Sequence, residues 1–285
     1  SLNKNSFKFI SLFKMIELKD AFIKLDEYKK IGKKIGEGAF GKVFTIEKES
    51  DENVYAIKIV KTNFNGLDII NFIREALAIK SLKHPCIVKF YGIDLQFEGE
   101  TKFQASIITE YLPRGSLGSI LEAERQNKAD PAWTPTKKYI NLIGIAHAMR
   151  YMHNQNFLHR DLKPYNILVD DNLFPKICDF GCARFFPKLF EETIKNRTIE
   201  IGTQEYMSPE IFEGVTPYNE TVDVYAFSMT AYEIITGKRP YYDFKPPTDY
   251  LFFKNVKEGR RPILTDDITE KMKNLLSKCW DPDIH

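Results

Sequence analysis

The chain has 285 residues, 43% of them hydrophobic and 28% charged, enough to bury a large core in one big domain or two lobes. A formal net charge of +2, with no patch of interleaved basic and aromatic residues, argues against nucleic acid as a partner. Four cysteines (Cys86, Cys178, Cys182, Cys279) lack zinc-site spacing and read as reduced thiols of a cytoplasmic protein.

In the opening SLNKNSFKFISLFKMIELKDAFIKL, lysines interrupt every apolar run before it reaches the length of a signal peptide or a membrane span. Residues 1–28 are expected to form an extension, a helix or linker packed against the main domain; contact with a membrane surface is the lesser alternative. Opening on Ser1 and not Met, the sequence reads as a piece excised from a longer one. It contains no internal repeat and no low-complexity tract.

The first segment with chemical character is IGEGAFGKVF, residues 35–44, where Gly36, Gly38 and Gly41 match GxGxxG. A Walker A loop is ruled out because Val43, with no hydroxyl, follows Lys42. A dinucleotide-binding turn runs from a strand into a helix, whereas here KVFTIEKE and VYAIKIV read as two strands joined by the turn SDEN. The glycines therefore belong to a β-hairpin, a flap whose backbone N–H groups can approach phosphates closely, or else a turn with no ligand.

In the second strand Ala56, Lys58 and Val60 share one face, and Tyr55, Ile57 and Ile59 the other. Lys58 is either an edge-strand lysine reaching water or a cation aimed at phosphates, with small Ala56 leaving room for a flat base. Next, DIINFIREALAIKSLKHP carries apolar residues at helical spacing, with Asp68 as the expected N-cap. Glu75, on the margin of that helix, is either a solvated surface residue or the partner of Lys58.

The stretch FLHRDLKPYNILVDDNLFPKICDFG sets His159, Arg160, Asp161, Lys163 and Asn166 close upstream of Asp179, Phe180 and Gly181. Two acids and an amide separated by short apolar runs suit a loop and hairpin that aim oxygen ligands at one place. Phosphoryl transfer needs such oxygens for a metal, a positioned proton acceptor for the attacking hydroxyl, and cations for the transferred charge.

From about Ile31 onward, the glycine loop, YAIK, the helix glutamate, HRDLKPYN, DFG and SPE follow the order of the eukaryotic protein-kinase signature set, and the chain resembles that family. The resemblance implies an α+β, bilobal protein-kinase-like fold. A small β-rich N-lobe with one main helix would span residues 29–110, and a hinge with a larger, mainly α-helical C-lobe residues 111–285. ATP and Mg²⁺ are the implied cofactors, with ATP bound between the lobes. The resemblance assigns Asp161 as catalytic base, Lys163 as phosphate contact, Lys58 paired with Glu75, and Asn166 and Asp179 as metal ligands, with Thr203 also among the catalytic residues. For the nucleotide it implies Ile35, Gly36, Gly38 and Gly41 over the phosphates, Val43, Ala56 and Leu168 around adenine, and Thr109 as gatekeeper. The hinge backbone at Glu110 and Leu112 would bond the base. Ile79, Phe90, His159 and Phe180 resemble a stacked spine anchored by Asp223, although their apolar members would be buried in any core.

Lys163 in the catalytic loop and GTQEYMSPE resemble serine/threonine kinases, and DVYAFSMTAYEIITGKRPY and KCWDPD resemble the tyrosine-kinase-like group. Serine and threonine hydroxyls of proteins are therefore the expected acceptors. Arg160 and Arg184 would meet a phosphate on Thr198 or Thr193, placed by an upstream kinase or by autophosphorylation. Cys178 would face the nucleotide, as a reactive or, more simply, an inert thiol. In the family the glutamate of SPE pairs with an arginine beyond CW; the chain stops at His285, so Glu210 is expected to lack this partner. A pseudokinase, a docking module on the same fold, is the alternative to an enzyme, and a small-molecule kinase the third possibility.

Overall fold

The computed structural model of the chain describes residues 17–28, 32–38, 41–51, 53–63, 66–98, 102–185, 204–212 and 219–281. They form two compact units: one holds the chain through Pro113 together with Asp179–Ala183, the other Arg114–Cys178 and the chain from Arg184 onward.

The first unit is a five-stranded antiparallel sheet with one helix on it. Strands β1 (Lys34–Gly38), β2 (Gly41–Glu47), β3 (Val54–Asn63), β4 (Phe90–Glu98) and β5 (Lys102–Glu110) lie in the order β1-β2-β3-β5-β4. The central strand β3 is also the one whose sequence alternates most clearly. Ile57 and Ile59 are buried with Tyr55, Ile46 and Ile108 in one apolar cluster, the rear face of the sheet. Gly41 marks a close approach of backbone to backbone: a Cβ built there, at φ +148, would sit 2.4 Å from the Ile59 carbonyl oxygen. Helix α1 (Gly66–Ser81) carries buried Phe72, Ile73, Ala76 and Ile79 at helical spacing. It begins two residues before Asp68, so Asp68 falls in the first turn and not at the cap.

The second unit is mainly helical. Its helices α2 (Leu117–Arg125) and α3 (Pro135–Asn154) start at Ser116 and Thr134, whose hydroxyls accept from the backbone N–H three residues on. After α3 the chain runs through β6 (Phe157–Leu158) into the loop 159–166, then the hairpin β7 (Ile167–Val169) and β8 (Pro175–Ile177). The short strand β9 (Arg184–Phe185) pairs with β6. Helix α4 (Pro209–Phe212) precedes α5 (Thr221–Thr236), which is buried along most of its length and around which the unit is built. Helices α6 (Asp249–Lys257) and α7 (Glu270–Cys279) begin at Thr248 and Thr269 caps of the same kind. Among the described residues, no helix is long and apolar enough to cross a membrane.

Candidate active site

Strand register decides which side chains of the first unit share a surface. Lys58 stands opposite Val43 on β2 and Ile107 on β5, and Ala56 stands opposite Thr45 and Thr109. Directly opposed residues of antiparallel strands point to the same side, so Val43, Ala56, Lys58 and Thr109 share the front face of the sheet. Because β3 has a hydrogen-bonded neighbour on each side, Lys58 is not an edge lysine. The glycine loop is a hairpin, with Gly36 facing Val43 and Gly38 facing Gly41 across β1 and β2, and Ile35 on β1 is exposed. Its tip, residues 39 and 40, lies outside the described residues.

Lys58 finds two carboxylates. Its ammonium lies 2.6 Å from Glu75 Oε1 on α1 and 3.2 Å from Asp179 Oδ1. Glu75, although charged, is only 8% exposed, so of the two readings left open by the sequence the paired one holds. Burial on its own would lower the Lys58 pKa, but the Glu75 and Asp179 carboxylates outweigh it and hold the ammonium above the usual lysine value. Burial likewise pushes the Glu75 carboxyl up, against the pull of the Lys58 ammonium and with the help of Asp179's charge. Asp179 itself has φ 59 and ψ 73, a left-handed conformation that a non-glycine residue adopts at a cost, and it heads a 3₁₀ turn, Phe180–Cys182, that packs on α1. Ile79 and Phe180 are buried in this unit, and Phe90 is half-buried.

At the end of β5, Glu110 is fastened to the segment before β4: its N–H donates to the Lys89 carbonyl, 2.9 Å, and its side chain accepts from Lys89 N–H, 2.7 Å. The Thr109 hydroxyl leans on the Glu110 carbonyl at 3.3 Å. Leu112, two residues past the strand, is half-buried.

In the second unit the loop after β6 folds onto itself. The Asn166 amide nitrogen donates to the Asp161 carbonyl (2.8 Å) and to Asp161 Oδ2 (2.9 Å), and the Lys163 ammonium lies 3.2 Å from the same Oδ2. Asp161 Oδ1 has no donor among the described residues. With its nitrogen committed to Asp161, Asn166 keeps its carbonyl oxygen for another partner. His159 is wholly buried and used at both ring nitrogens: Nε2–H donates to the Cys178 carbonyl (3.1 Å) and Nδ1 accepts from Asp161 N–H (3.3 Å), which selects the tautomer. Leu168, on β7, is half-buried and bridges to Ser116.

Asp223 on α5 holds this loop from beneath. It is fully buried and accepts from the backbone N–H of His159 and of Arg160, both at 2.8 Å, and from His153 at 2.9 Å. Two backbone donors aimed at one carboxylate stabilise the positive φ of Arg160, 68°, just before Asp161. Asp223 carries a motif, but His153 went unread in the sequence; its only signal is a histidine in the last turn of a helix six residues before the loop. Also unread is a second buried carboxylate, Glu233, held by the Arg125 guanidinium (2.8 Å) and by the Tyr206 hydroxyl.

The sequence-expected residues thus fall into two groups. Ile35, Gly36, Gly38, Gly41, Val43, Ala56, Lys58, Glu75, Thr109, Glu110, Leu112 and Asp179 belong to the first unit; Asp161, Lys163, Asn166 and Leu168 belong to the second. Thr203 lies outside the described residues, as do Thr193 and Thr198. Among the described residues, no group of three or more His, Cys, Asp or Glu side chains could hold a metal ion, and the described cysteines form no disulfide.

Residues 29–285 match the family model of protein tyrosine and serine/threonine kinases. A protein of Acanthamoeba polyphaga mimivirus, provisionally named a serine/threonine-protein kinase/receptor, is 34% identical over 260 residues, 90% of this chain and 14% of that protein. The dual specificity protein kinase shkB of Dictyostelium discoideum is 32% identical over 250 residues, 87% of this chain and 36% of that protein. The human serine/threonine-protein kinase TNNI3K is 30% identical over 253 residues, 87% of this chain and 28% of that protein. The chain therefore spans little more than a third, at most, of the length of these curated relatives.

Proposed function

Because the chain belongs to the protein tyrosine and serine/threonine kinase family, we propose that it transfers the γ-phosphoryl group of ATP to serine and threonine hydroxyls of proteins. The observation that carries this reading is the Lys58 ammonium held between Glu75 and Asp179, a cation fixed on a face that also presents Val43, Ala56 and Thr109.

Roles follow from the chemistry of each group. In the first unit, the hairpin glycines Gly36, Gly38 and Gly41 cover the phosphates beside Ile35, and Lys58 neutralises phosphate oxygens. Val43, Ala56 and the Thr109–Leu112 backbone, including Glu110, receive the base. In the second unit, Asp161 Oδ1 accepts the proton of the attacking hydroxyl while Asn166 and Lys163 hold Oδ2 still; Lys163 also offsets charge on the transferred group, and Leu168 adds an apolar contact for the base. Asp179 and the Asn166 carbonyl are the hard oxygens suited to Mg²⁺, which when bound with the nucleotide would neutralise charge on the β- and γ-phosphate oxygens. Each is an oxygen of the kind Mg²⁺ takes, an ion that commonly accepts one or two carboxylates and completes its shell with phosphate and water. Thr203 and the acceptors for an activating phosphate, Thr198 or Thr193, complete the reading from sequence alone, together with the cytoplasmic setting expected from cysteine usage.

A second reading is favoured by one relative: shkB is named a dual specificity kinase, so tyrosine is a further acceptor to test. The pseudokinase alternative has no observation in its favour. Incubating the chain with radiolabelled ATP, Mg²⁺ and a basic protein, followed by phosphoamino-acid analysis, tests the proposal. Labelled serine and threonine, lost in Asp161→Asn, are expected; labelled tyrosine alone, or label that persists in Asp161→Asn, would overturn it.

A further inference from the structure

Residues 17–28 precede the family-matched region, yet they are built into the first unit. Leu18 is fully buried and Ala21 nearly so. Ile23 N–H donates to the Ile93 carbonyl on β4 at 3.0 Å, Phe22 forms a parallel bridge to Ile93, and the Glu27 carbonyl accepts from Glu49 N–H at 3.0 Å. This short segment therefore crosses from the edge strand to the β2–β3 turn. Ile23, Leu25 and Tyr28 pack on the cluster of Ile46, Tyr55, Ile57, Ile59 and Ile108, which is the rear face of the sheet. The sheet has reserved room for them: a Cβ on Gly92 of β4 would fall 2.4 Å from Ile23 Cγ2 and 3.0 Å from the Ala21 carbonyl.

The segment also reaches α1. The Lys80 ammonium, in the last turn of α1, donates to the backbone carbonyl of Glu17. Lys80 lies on the helix that carries Glu75, and an α-helix transmits a displacement of one end to the other because its turns are hydrogen-bonded in series. We propose that residues 17–28 act as a positioning strap, covering the rear of the sheet and holding the last turn of α1, so that Glu75 stays within reach of Lys58. Only the kinetic consequence rests on the proposed phosphotransfer; the effect on α1 does not.

The test uses the full chain with Lys80→Met, Lys80→Arg and Gly92→Ala. Lys80→Met removes the tether but leaves the core intact; Gly92→Ala pushes the strap off from the sheet side without altering its sequence. Hydrogen exchange of the α1 amides is expected to quicken in Lys80→Met and Gly92→Ala and to return to the starting rate in Lys80→Arg. In parallel, kcat/KM for ATP should fall about three- to tenfold in Lys80→Met and Gly92→Ala, the size that positional coupling carries. In Lys80→Met the melting temperature should hold, which separates positioning from loss of stability. Unchanged α1 exchange in both Lys80→Met and Gly92→Ala would overturn the strap. So would a kinetic loss in Lys80→Met that only follows a lowered melting temperature. Quickened exchange in a chain that transfers no phosphate would uphold the strap and count against the proposed activity instead.

Discussion

The two units hold their charged groups by opposite means. In the first, Lys58 meets a glutamate 17 residues away and an aspartate 121 residues away, and side-chain charge joins all three. In the second, Asp161, Lys163 and Asn166 lie within one short loop that Asp223 clamps through two backbone N–H groups. A cation held by side chains on separate elements keeps its geometry only while the helix and the turn stay in place. A carboxylate fixed through its own backbone needs only its loop. The first arrangement suits control by movement, the second constancy in the proton transfer proposed for Asp161.

If the contrast is right, removing the group on the rigid loop costs most. Asp161→Asn preserves shape and both hydrogen bonds from Asn166 but cannot accept a proton, so kcat should fall about a thousandfold with the melting temperature unchanged. Lys58→Met deletes the charge proposed to stabilise the transition state and should cost about a hundredfold in kcat, measured with the same basic protein. Glu75→Gln keeps an acceptor for the ammonium and should cost less than either. If Glu75→Gln were as damaging as Asp161→Asn, the distinction between an adjustable triad and a fixed loop would fail.

The clamp beneath the loop offers a stability measurement. Asp223→Ala leaves the N–H groups of His159 and Arg160 buried without an acceptor and strands His153 as well. Unpaired buried donors of this kind should lower unfolding stability by about 3 kcal/mol, read as a shift in the urea midpoint. A loss confined to activity, with stability kept, would show that the positive φ of Arg160 survives without the carboxylate.

Much of this was legible before folding was considered. The hairpin around the glycines, the alternation of β3 and the helix carrying Glu75 all follow from local pattern, because β-branched runs and turn residues decide strands within a few positions. What local pattern cannot carry is azimuth and distance. Whether Glu75 faced water or Lys58 stayed open, since a helix's rotation about its axis is set by what it packs on. The left-handed Asp179 and its approach to Lys58 depend on a turn more than a hundred residues later in the chain. Glu233 looks like a stray acid in the apolar run of α5, and only folding delivers the Tyr206 hydroxyl and Arg125 to it. Leu18 and Ala21 sit among lysines, so their burial as part of the strap had no periodic signal.

The smallest effect is expected on the rear of the first unit, where Tyr55 donates to Asp51 Oδ2 at 2.8 Å. The hydrogen bond from Tyr55, aided by Asn53 N–H, holds the Asp51 carboxyl below its usual value; the same bond, with burial added, pushes the Tyr55 hydroxyl from 10.0 up to about 12. A group whose folded pKa is raised stabilises fully below its unfolded value, so the Tyr55 contribution is complete below pH 10.0 and is lost as pH rises toward about 12. A group whose folded pKa is lowered stabilises above its unfolded value, so the Asp51 contribution is lost as pH falls below 3.8. Tyr55→Phe should therefore melt slightly below the parent chain across the neutral range, and the gap should close at both ends, in acid and in strong alkali. Both titrating partners belong to the first unit, so the second unit's network of Tyr206, Glu233 and Arg125 leaves that gap unchanged: Tyr206→Phe should lower the melting temperature without moving either pH at which the Tyr55 effect disappears. A gap between Tyr55→Phe and the parent that stays constant from acid to alkali would mean the phenol contributes packing alone, with no bond to Asp51 in solution.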